Sequence, residues 1–274
     1  MFYKFPFVGL TFQTTDATKG QQFCLDDIKV EGMDPAVEYL YSLNPNTGAR
    51  DASTSITYVS YENAQRIWNE GGYYTEDQMR EYSGWWTSPI PPWPDPEYRG
   101  DAQQLTGVTF PCGTSFMASF SATHEVKFVC SGQVQKAVPV TFKNMIYPLL
   151  CNPLPRDVQF KEIAANIDPG AEYIYKLNRS SGAKDASTSI TYVSYENAQR
   201  IWNEGGYYTE DQMREYSGWW TSPIPPWPDP EYRGDAQQVN NDYWKSGEGW
   251  MGNFTDTSEV VISFPDAIPA ATAE

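Results

Sequence analysis

An exact internal duplication constrains this chain more than any other feature. Residues 51–104 recur without a single change as residues 185–238, so 54 residues are copied at an offset of 134 positions. The similarity continues more weakly on both sides of the copied block, and of the 17 aligned positions 113–129 only six are identical. Self-similarity at a fixed offset indicates a repeat architecture. The chain therefore consists of two homologous repeats, and its fold must accommodate the same unit twice.

The residues outside the copied block favour short strands. Val126–Val129 and Val260–Phe264 are β-branched and aromatic runs, and Gly and Pro together supply 41 of the 274 residues. We expect a mainly β fold with two tandem homologous β-sandwich modules of jelly-roll type, residues 1–137 and 138–274. Residues 51–104 and 185–238 form a long aromatic and proline-rich insertion in each. Each module is expected to end in a strand hairpin: Ser115–Phe120 with Glu125–Cys130, and Gly249–Phe254 with Glu259–Phe264.

The copied block itself predicts a strand, two short helices and a loop. Ser55–Tyr61 alternates with the period of a strand. Glu62–Glu70 fits a short helix that stops at two glycines, and Thr75–Gln78 is a capping box for a second helical turn. Ser88–Pro96 contains five prolines and is expected to be an extended loop.

Charge excludes several classes of partner. The net charge is −16, and each copied block holds nine acidic residues and three arginines. Such a surface repels nucleic acid and anionic lipid, so neither is expected as a partner. The sequence has no apolar run long enough to span a bilayer. Residues 1–12 are interpreted as a first strand rather than a signal peptide. A virion or extracellular assembly is favoured over a cytoplasmic enzyme role.

Few residues suit catalysis or a cofactor. His124 is the only histidine, and neither a P-loop nor a dinucleotide fingerprint is present. No cofactor is expected. No two of the four cysteines have Cys-x-x-Cys spacing; they are Cys24, Cys112, Cys130 and Cys151. They are interpreted as reduced thiols, with a Cys112–Cys130 disulfide as the alternative.

Clustered acids and one tripeptide leave further alternatives open. Each copied block has a triplet of acidic residues in one loop: Asp95, Glu97 and Asp101, with the copies Asp229, Glu231 and Asp235. These side chains can be solvated, can form a weak calcium site or can supply a catalytic pair. The tripeptides at residues 99–101 and 233–235 spell an integrin-type motif, for which an ordinary loop is the favoured interpretation.

Aromatic residues are the main binding candidates. Each copied block carries five that could contact a partner, namely Tyr82, Trp85, Trp86, Trp93 and Tyr98, repeated as Tyr216, Trp219, Trp220, Trp227 and Tyr232. Flat aromatic rings can stack on sugars or anchor a partner protein. The competing interpretation places Trp85 and Trp86 on opposite faces of a strand, with Trp93 folded over its own module. We expect Trp93 and Trp227 to be covered by their own module or by another chain.

The modular plan resembles uncharacterised tandem-repeat β-sandwich proteins of virions, fibres and cell-surface arrays. The resemblance rests on short motifs: residues 152–158 leading into Phe160–Ile163, Gly218-Trp219-Trp220, and residues 247–251. It implies a non-enzymatic structural or assembly protein whose partners are copies of itself or other subunits. A pair of carbohydrate-binding modules is the alternative, and an acid-dependent hydrolase is a third hypothesis.

Overall fold

A computed structural model describes residues 3–4, 7–8, 23–108, 113–121, 126–134, 139–154, 156–178, 181–246 and 248–265. Within these residues the fold is mainly β, with several antiparallel sheets and four short helices. No helix among them is both long and apolar enough to cross a membrane.

The elements of the first repeat are strands β1 (Tyr3–Lys4), β2 (Phe7–Val8), β3 (Phe23–Glu31), β4 (Tyr39–Tyr41), β5 (Ile56–Val59), β6 (Gly84–Thr87), β7 (Gln104–Leu105), β8 (Phe116–Ser121) and β9 (Lys127–Val134), helices α1 (Tyr61–Trp68) and α2 (Glu76–Tyr82), and a 3-10 turn at Ala52–Thr54.

The second repeat contains strands β10 (Val140–Lys143), β11 (Leu149–Cys151), β12 (Val158–Gln159), β13 (Ala164–Ala165), β14 (Tyr173–Leu177), β15 (Lys184–Val193), β16 (Gly218–Thr221), β17 (Tyr243–Trp244), β18 (Gly249–Asn253) and β19 (Glu259–Ser263), helices α3 (Tyr195–Trp202) and α4 (Glu210–Tyr216), and a 3-10 turn at Phe160–Glu162.

Corresponding strands of the two repeats pair in the same way. The first large sheet has the order β1-β8-β4-β5-β6-β7, with β2 also paired to β8, and the second has the order β11-β18-β14-β15-β16. Strands β4, β5, β6 and β8 thus correspond to β14, β15, β16 and β18. Smaller sheets are formed by β3 with β9, by β10-β19-β13, and by β12 with β17.

Apolar side chains of the smaller sheets pack against the large ones. In the first repeat, Val30 of β3 and Phe128 of β9 contribute to one cluster with Leu40 and Trp85. In the second repeat, side chains of β10 and β19 share a larger cluster with those of β14 and β16, including Trp219. Burial of these apolar faces supplies the main stabilisation of each repeat.

The hairpins expected at the end of each repeat are wrong. Strand β8 pairs with β1, β2 and β4, whereas β9 pairs with β3 from Phe23↔Val134 to Glu31↔Lys127. Likewise β18 pairs with β11 and β14, and β19 with β10 and β13. Alternation along a strand shows which face is buried but not which strand lies beside it, and here the partners are distant in sequence.

Other local expectations are confirmed. Strands β5, β9 and β19 and helices α1 and α2 lie where the sequence predicts them, and Ser88–Pro96 forms neither helix nor strand. Cys24 and Cys130 lie in the paired strands β3 and β9. Cys151 is a partly buried thiol whose Sγ donates to the carbonyl oxygen of Thr114 at 3.1 Å. His124 and Cys112 lie outside the described residues, so the disulfide alternative stays a prediction.

The two repeats meet through equivalent parts of their large sheets. Tyr41 and Met117 of the first repeat share a buried cluster with Tyr175 and Met251 of the second. Each residue of the first pair has its counterpart in the second at the repeat offset of 134. The same surface of each repeat therefore faces the other, which is an isologous arrangement within one chain.

Candidate functional site

In each copied block, two short helices and a proline-rich loop pack against one face of the sheet. Helix α1 begins after Ser60, whose hydroxyl accepts a hydrogen bond from the amide of Asn63 at 3.2 Å. Helix α2 begins after Thr75 with the predicted capping box to Gln78. The caps fix where the two helices begin and therefore set the position of the segment between them.

That connecting segment is held by the side chain of Asn69. Its amide nitrogen donates to the carbonyl oxygen of Tyr74 at 3.0 Å, and its amide oxygen accepts from the Tyr74 backbone amide at 2.7 Å. Gly72 has a φ of +71°, which permits the tight turn inside this segment. The turn presents Tyr73 and Tyr74 towards the proline-rich loop.

Buried tryptophans hold the proline-rich loop against the helices. The indole nitrogen of Trp68 donates to the carbonyl oxygen of Pro91 at 3.0 Å. Trp68 lies 5.3 Å from Trp86, ring centroid to centroid, and both are buried with Val59 and Met79. The loop is therefore attached to helix α1 by a buried hydrogen bond and by the packing of these apolar side chains.

The adjacent tryptophans of β6 point to opposite faces, as one interpretation of the sequence had it. Trp85 packs with Leu40 in the core of the repeat, while Trp86 lies under the helices. Their copies Trp219 and Trp220 are also buried. These four candidates offer almost no surface to a partner, and they position the rest of the site instead.

Asp95 lies at the centre of the exposed part of the site. Its carboxylate accepts hydrogen bonds from the hydroxyl of Tyr74 and, at 2.9 Å, from that of Tyr82. Its backbone carbonyl accepts from the amides of Tyr98 and Arg99, both at 2.9 Å. These bonds bring three segments of the copied block to one carboxylate.

The two phenols bound to Asp95 are held in their protonated form. Burial, together with the hydrogen bond to Asp95, raises the pKa of Tyr74 and of Tyr82 to about 12. The phenols thus remain hydrogen-bond donors across the neutral range. The carboxylate between them carries the negative charge of the cluster.

An open aromatic pocket surrounds this carboxylate. The cavity has a volume of about 320 Å³ and is lined by Tyr73, Tyr74, Trp93, Asp95 and Tyr98. Tyr73 and Trp93 meet edge to face at 6.0 Å between ring centroids. Tyr73, Trp93 and Tyr98 remain 73%, 45% and 65% exposed. We call this set the aromatic pocket.

The second copy repeats the same geometry. Asp229 accepts from the hydroxyls of Tyr208 and Tyr216, the latter at 2.9 Å, and burial with the Asp229 hydrogen bond raises the pKa of both tyrosines. Tyr207 meets Trp227 at 6.0 Å, as Tyr73 meets Trp93. Trp227 is 44% exposed. Each repeat thus displays one such cluster.

Their own repeats cover Trp93 and Trp227 in part, and the two residues remain 45% and 44% exposed. Each indole meets a neighbouring tyrosine in an edge-to-face arrangement at 6.0 Å between ring centroids. Cover by another chain stays a prediction.

The acidic triplets gain no support as calcium sites. Asp95 is bound to two phenols, and Glu97 is exposed. In the described part of the chain, no three acidic, histidine or cysteine side chains converge as a metal site requires, and this includes the copies Asp229, Glu231 and Asp235. The tripeptide at residues 99–101 lies in the turn that follows Asp95.

Sequence reasoning missed Tyr73, Tyr74 and the central role of Asp95. The tyrosine pair does follow two glycines between two predicted helices, which marks a tight turn displaying adjacent aromatic rings. However, Tyr74 and Asp95 are 21 residues apart, and no local pattern predicts their contact. No protein-family model, curated protein or solved structure gives a significant match to this chain.

Proposed function

We propose that this chain is a non-enzymatic assembly protein that uses its two aromatic pockets as contact surfaces. The single observation that carries the proposal is the exposed ring set of Tyr73, Trp93 and Tyr98, repeated at Tyr207, Trp227 and Tyr232. Tryptophan and tyrosine dominate the energetics of protein interfaces, because a flat ring buries a large area at little entropic cost. Two identical surfaces on one chain suit a repeating partner, such as another copy of the chain or a second assembly subunit.

The fold that displays these surfaces is proposed to be a tandem of two β-sandwich modules, residues 1–137 and 138–274. Support comes from the packing of β3 and β9 against the first large sheet and of β10 and β19 against the second. A virion, fibre or surface array is the setting in which such a tandem subunit would repeat.

The chemistry of the pocket favours a basic partner segment. Aromatic faces attract cations through their quadrupole, and Asp95 adds a carboxylate at the floor. The copied block around it carries nine acidic residues against three arginines. A lysine or arginine side chain of the partner would therefore be favoured both locally and by the wider field.

The hydrogen bonds within the pocket favour a binding role over the hydrolase hypothesis. Asp95 accepts hydrogen bonds from two phenols whose raised pKa keeps them protonated. These two bonds hold the carboxyl group in one orientation. This is the reason for proposing a binding role rather than the hydrolase hypothesis.

The test is the mass of the native particle by light scattering at micromolar concentration. We expect the purified chain, of 31.0 kDa, to form a larger species, and the double variant Trp93→Ala/Trp227→Ala to weaken this association about 30-fold or more. Tyr243→Ala removes an exposed aromatic residue outside both pockets and serves as the control. A monomeric wild type, or equal weakening by the control, would overturn the proposal.

Carbohydrate binding is the second candidate. It is favoured by the half-open indoles of Trp93 and Trp227, which leave ring surface for a sugar to stack on. Binding of the monomeric chain to a glycan array, lost in the same double variant and kept in Tyr243→Ala, would place this function above assembly.

A further inference from the structure

A second cavity lies between the two repeats, away from both aromatic pockets. It has a volume of about 410 Å³, within the usual range of small-molecule sites. Twelve of its thirteen lining residues form six pairs at the repeat offset of 134, among them Tyr41 with Tyr175 and Met117 with Met251. The cavity therefore lies where the two equivalent surfaces meet.

One of these pairs is basic. Arg50 and Lys184 line the cavity from the two repeats, and no acidic residue is among the lining residues. In the described part of the chain, neither cation has a carboxylate within ion-pair distance. By contrast, Arg66 and Arg200 pair with Asp34 and Asp168. Two positive charges thus face one cavity in a chain whose net charge is −16.

Both cations are held in place by tyrosines. The Arg50 guanidinium lies 4.7 Å above the ring of Tyr39 and donates to its hydroxyl at 2.9 Å. Lys184 Nζ lies 4.2 Å above the ring of Tyr173 and donates to its hydroxyl at 2.7 Å. These contacts orient the charges without neutralising them.

The remainder of the cavity is apolar or weakly polar. Aromatic and aliphatic side chains also line it, including Tyr147, Leu43 and Leu177. Burial raises the pKa of Tyr175 to about 12 and also raises that of Tyr41, so these phenols add no negative charge. A ligand there meets two positive charges together with apolar surface.

We propose that this cavity, shared by the two repeats, binds an oxyanion carried on an apolar or aromatic body. A carboxylate or a phosphate would accept charge-assisted hydrogen bonds from Arg50 and Lys184. The body would lie against the tyrosine and leucine side chains. Because both repeats build the one cavity, the stoichiometry is one ligand per chain.

The test is calorimetric titration of the full chain at low ionic strength with four probes. Phenyl phosphate and phenylacetate present the two oxyanions on an aromatic body, inorganic phosphate lacks the body, and benzyl alcohol lacks the charge. We expect phenyl phosphate or phenylacetate to bind one per chain, and whichever binds more tightly identifies the oxyanion. Inorganic phosphate should bind at least tenfold more weakly than phenyl phosphate, and benzyl alcohol should not bind.

Variants assign the site. Arg50→Gln/Lys184→Gln should lower the affinity about tenfold or more, and Arg50→Lys/Lys184→Arg should retain most of it. Arg66→Gln/Arg200→Gln makes the same charge change at another pair of equivalent positions, and it should leave the affinity within about twofold. Thermal unfolding of each variant shows that it is folded.

Four outcomes would overturn the proposal. They are no binding of either aromatic oxyanion at millimolar concentration, equal binding of inorganic phosphate and phenyl phosphate, two ligands per chain, and equal loss in the cavity and control variants.

Discussion

Asp95→Ala tests the construction of the aromatic pocket most directly. The substitution removes the acceptor of two phenolic hydrogen bonds, from Tyr74 and Tyr82, and leaves the backbone bonds of the loop in place. Both tyrosines are only partly buried, so water can reach the hydroxyls left without an acceptor. The loss is therefore smaller than for a sealed carboxylate.

The expected magnitude follows from these two bonds. A hydrogen bond to a charged group contributes about 1.5–3 kcal/mol, and rehydration returns part of it, so we expect a loss of about 1–3 kcal/mol. For a chain of this size each kcal/mol lowers the melting temperature by about 2–4 °C. Asp229→Ala should cost the same, and the two losses should add, because the two carboxylates share no partner.

Alkaline titration gives a second readout with a fixed sign. The pKa of Tyr74 and Tyr82 is raised to about 12, chiefly by burial and then by the Asp95 hydrogen bond. A raised pKa favours the protonated phenol in the folded state, so this stabilisation is complete below pH 10 and is lost as pH rises from 10 through about 12. In Asp95→Ala, ultraviolet absorbance should show these phenols ionising nearer to pH 10, although burial keeps them above the ordinary tyrosine value.

Glu97→Ala is the matched control. Glu97 lies two residues after Asp95, and its carboxyl group is exposed. Its removal should therefore leave stability and tyrosine titration as in the wild type. If Asp95→Ala shifts neither property beyond this control, the carboxylate does not organise the pocket.

Two further predictions concern features that the repeats share or fail to share. Glu172→Gln replaces a buried carboxylate that accepts hydrogen bonds from two backbone amides and two hydroxyls. Chemical denaturation should show that the free energy of unfolding falls by about 2–4 kcal/mol. For the control Glu259→Gln, at an exposed carboxylate, the fall should be less than about 1 kcal/mol. Burial acts to raise the pKa of Glu172, but these hydrogen bonds outweigh burial, and the net pKa is lowered. The stabilisation from Glu172 is therefore present above the ordinary glutamate pKa and is lost as pH falls through the lowered value. A Glu172→Gln variant with the same acid sensitivity as the wild type would contradict this. In thermal unfolding, Gly218→Ala should be more destabilising than Gly84→Ala. Both glycines have positive φ, but only at Gly218 would a Cβ meet the side chain of Asn240. Equal falls in melting temperature would refute the steric argument.

Local structure could be predicted because its causes lie within a few residues. The capping box at Thr75 and the alternation of Ser55–Tyr61 each involve neighbours in sequence, and the structure bears them out. The opposite orientations of Trp85 and Trp86 follow from the same alternation along one strand.

Pairing and the pocket could not be predicted, since they depend on contacts between distant segments. The sequence of β9 specifies a strand equally well beside β8 or beside β3, and only the packed fold selects β3. The Asp95–Tyr74 contact and the cavity between Arg50 and Lys184 arise from the same kind of long-range placement.

The copied block also separates what a segment specifies by itself from what its surroundings add. Trp85 and Trp219 have identical neighbours in sequence but different surroundings. Trp85 packs edge to face on Tyr58 in a cluster with Val30 and Phe120. Trp219 packs against Phe160 and donates its indole proton to the carbonyl oxygen of Ile163 at 2.9 Å. The exposed cluster, by contrast, is the same in both copies, because its contacts all lie inside the block.

The function proposed for the two pockets depends on this independence from the scaffold. Each pocket is completed by its own block, so scaffold differences between the repeats leave the binding surfaces alike. The distance between the pockets is set elsewhere, by the buried cluster in which Tyr41 and Met117 meet Tyr175 and Met251. Two like sites held at a fixed separation bind a partner of matching repeat far more tightly than either site alone, and they gain nothing from a partner whose spacing differs. Weak contacts at Trp93 and Trp227 would in that way become selective for a regular array.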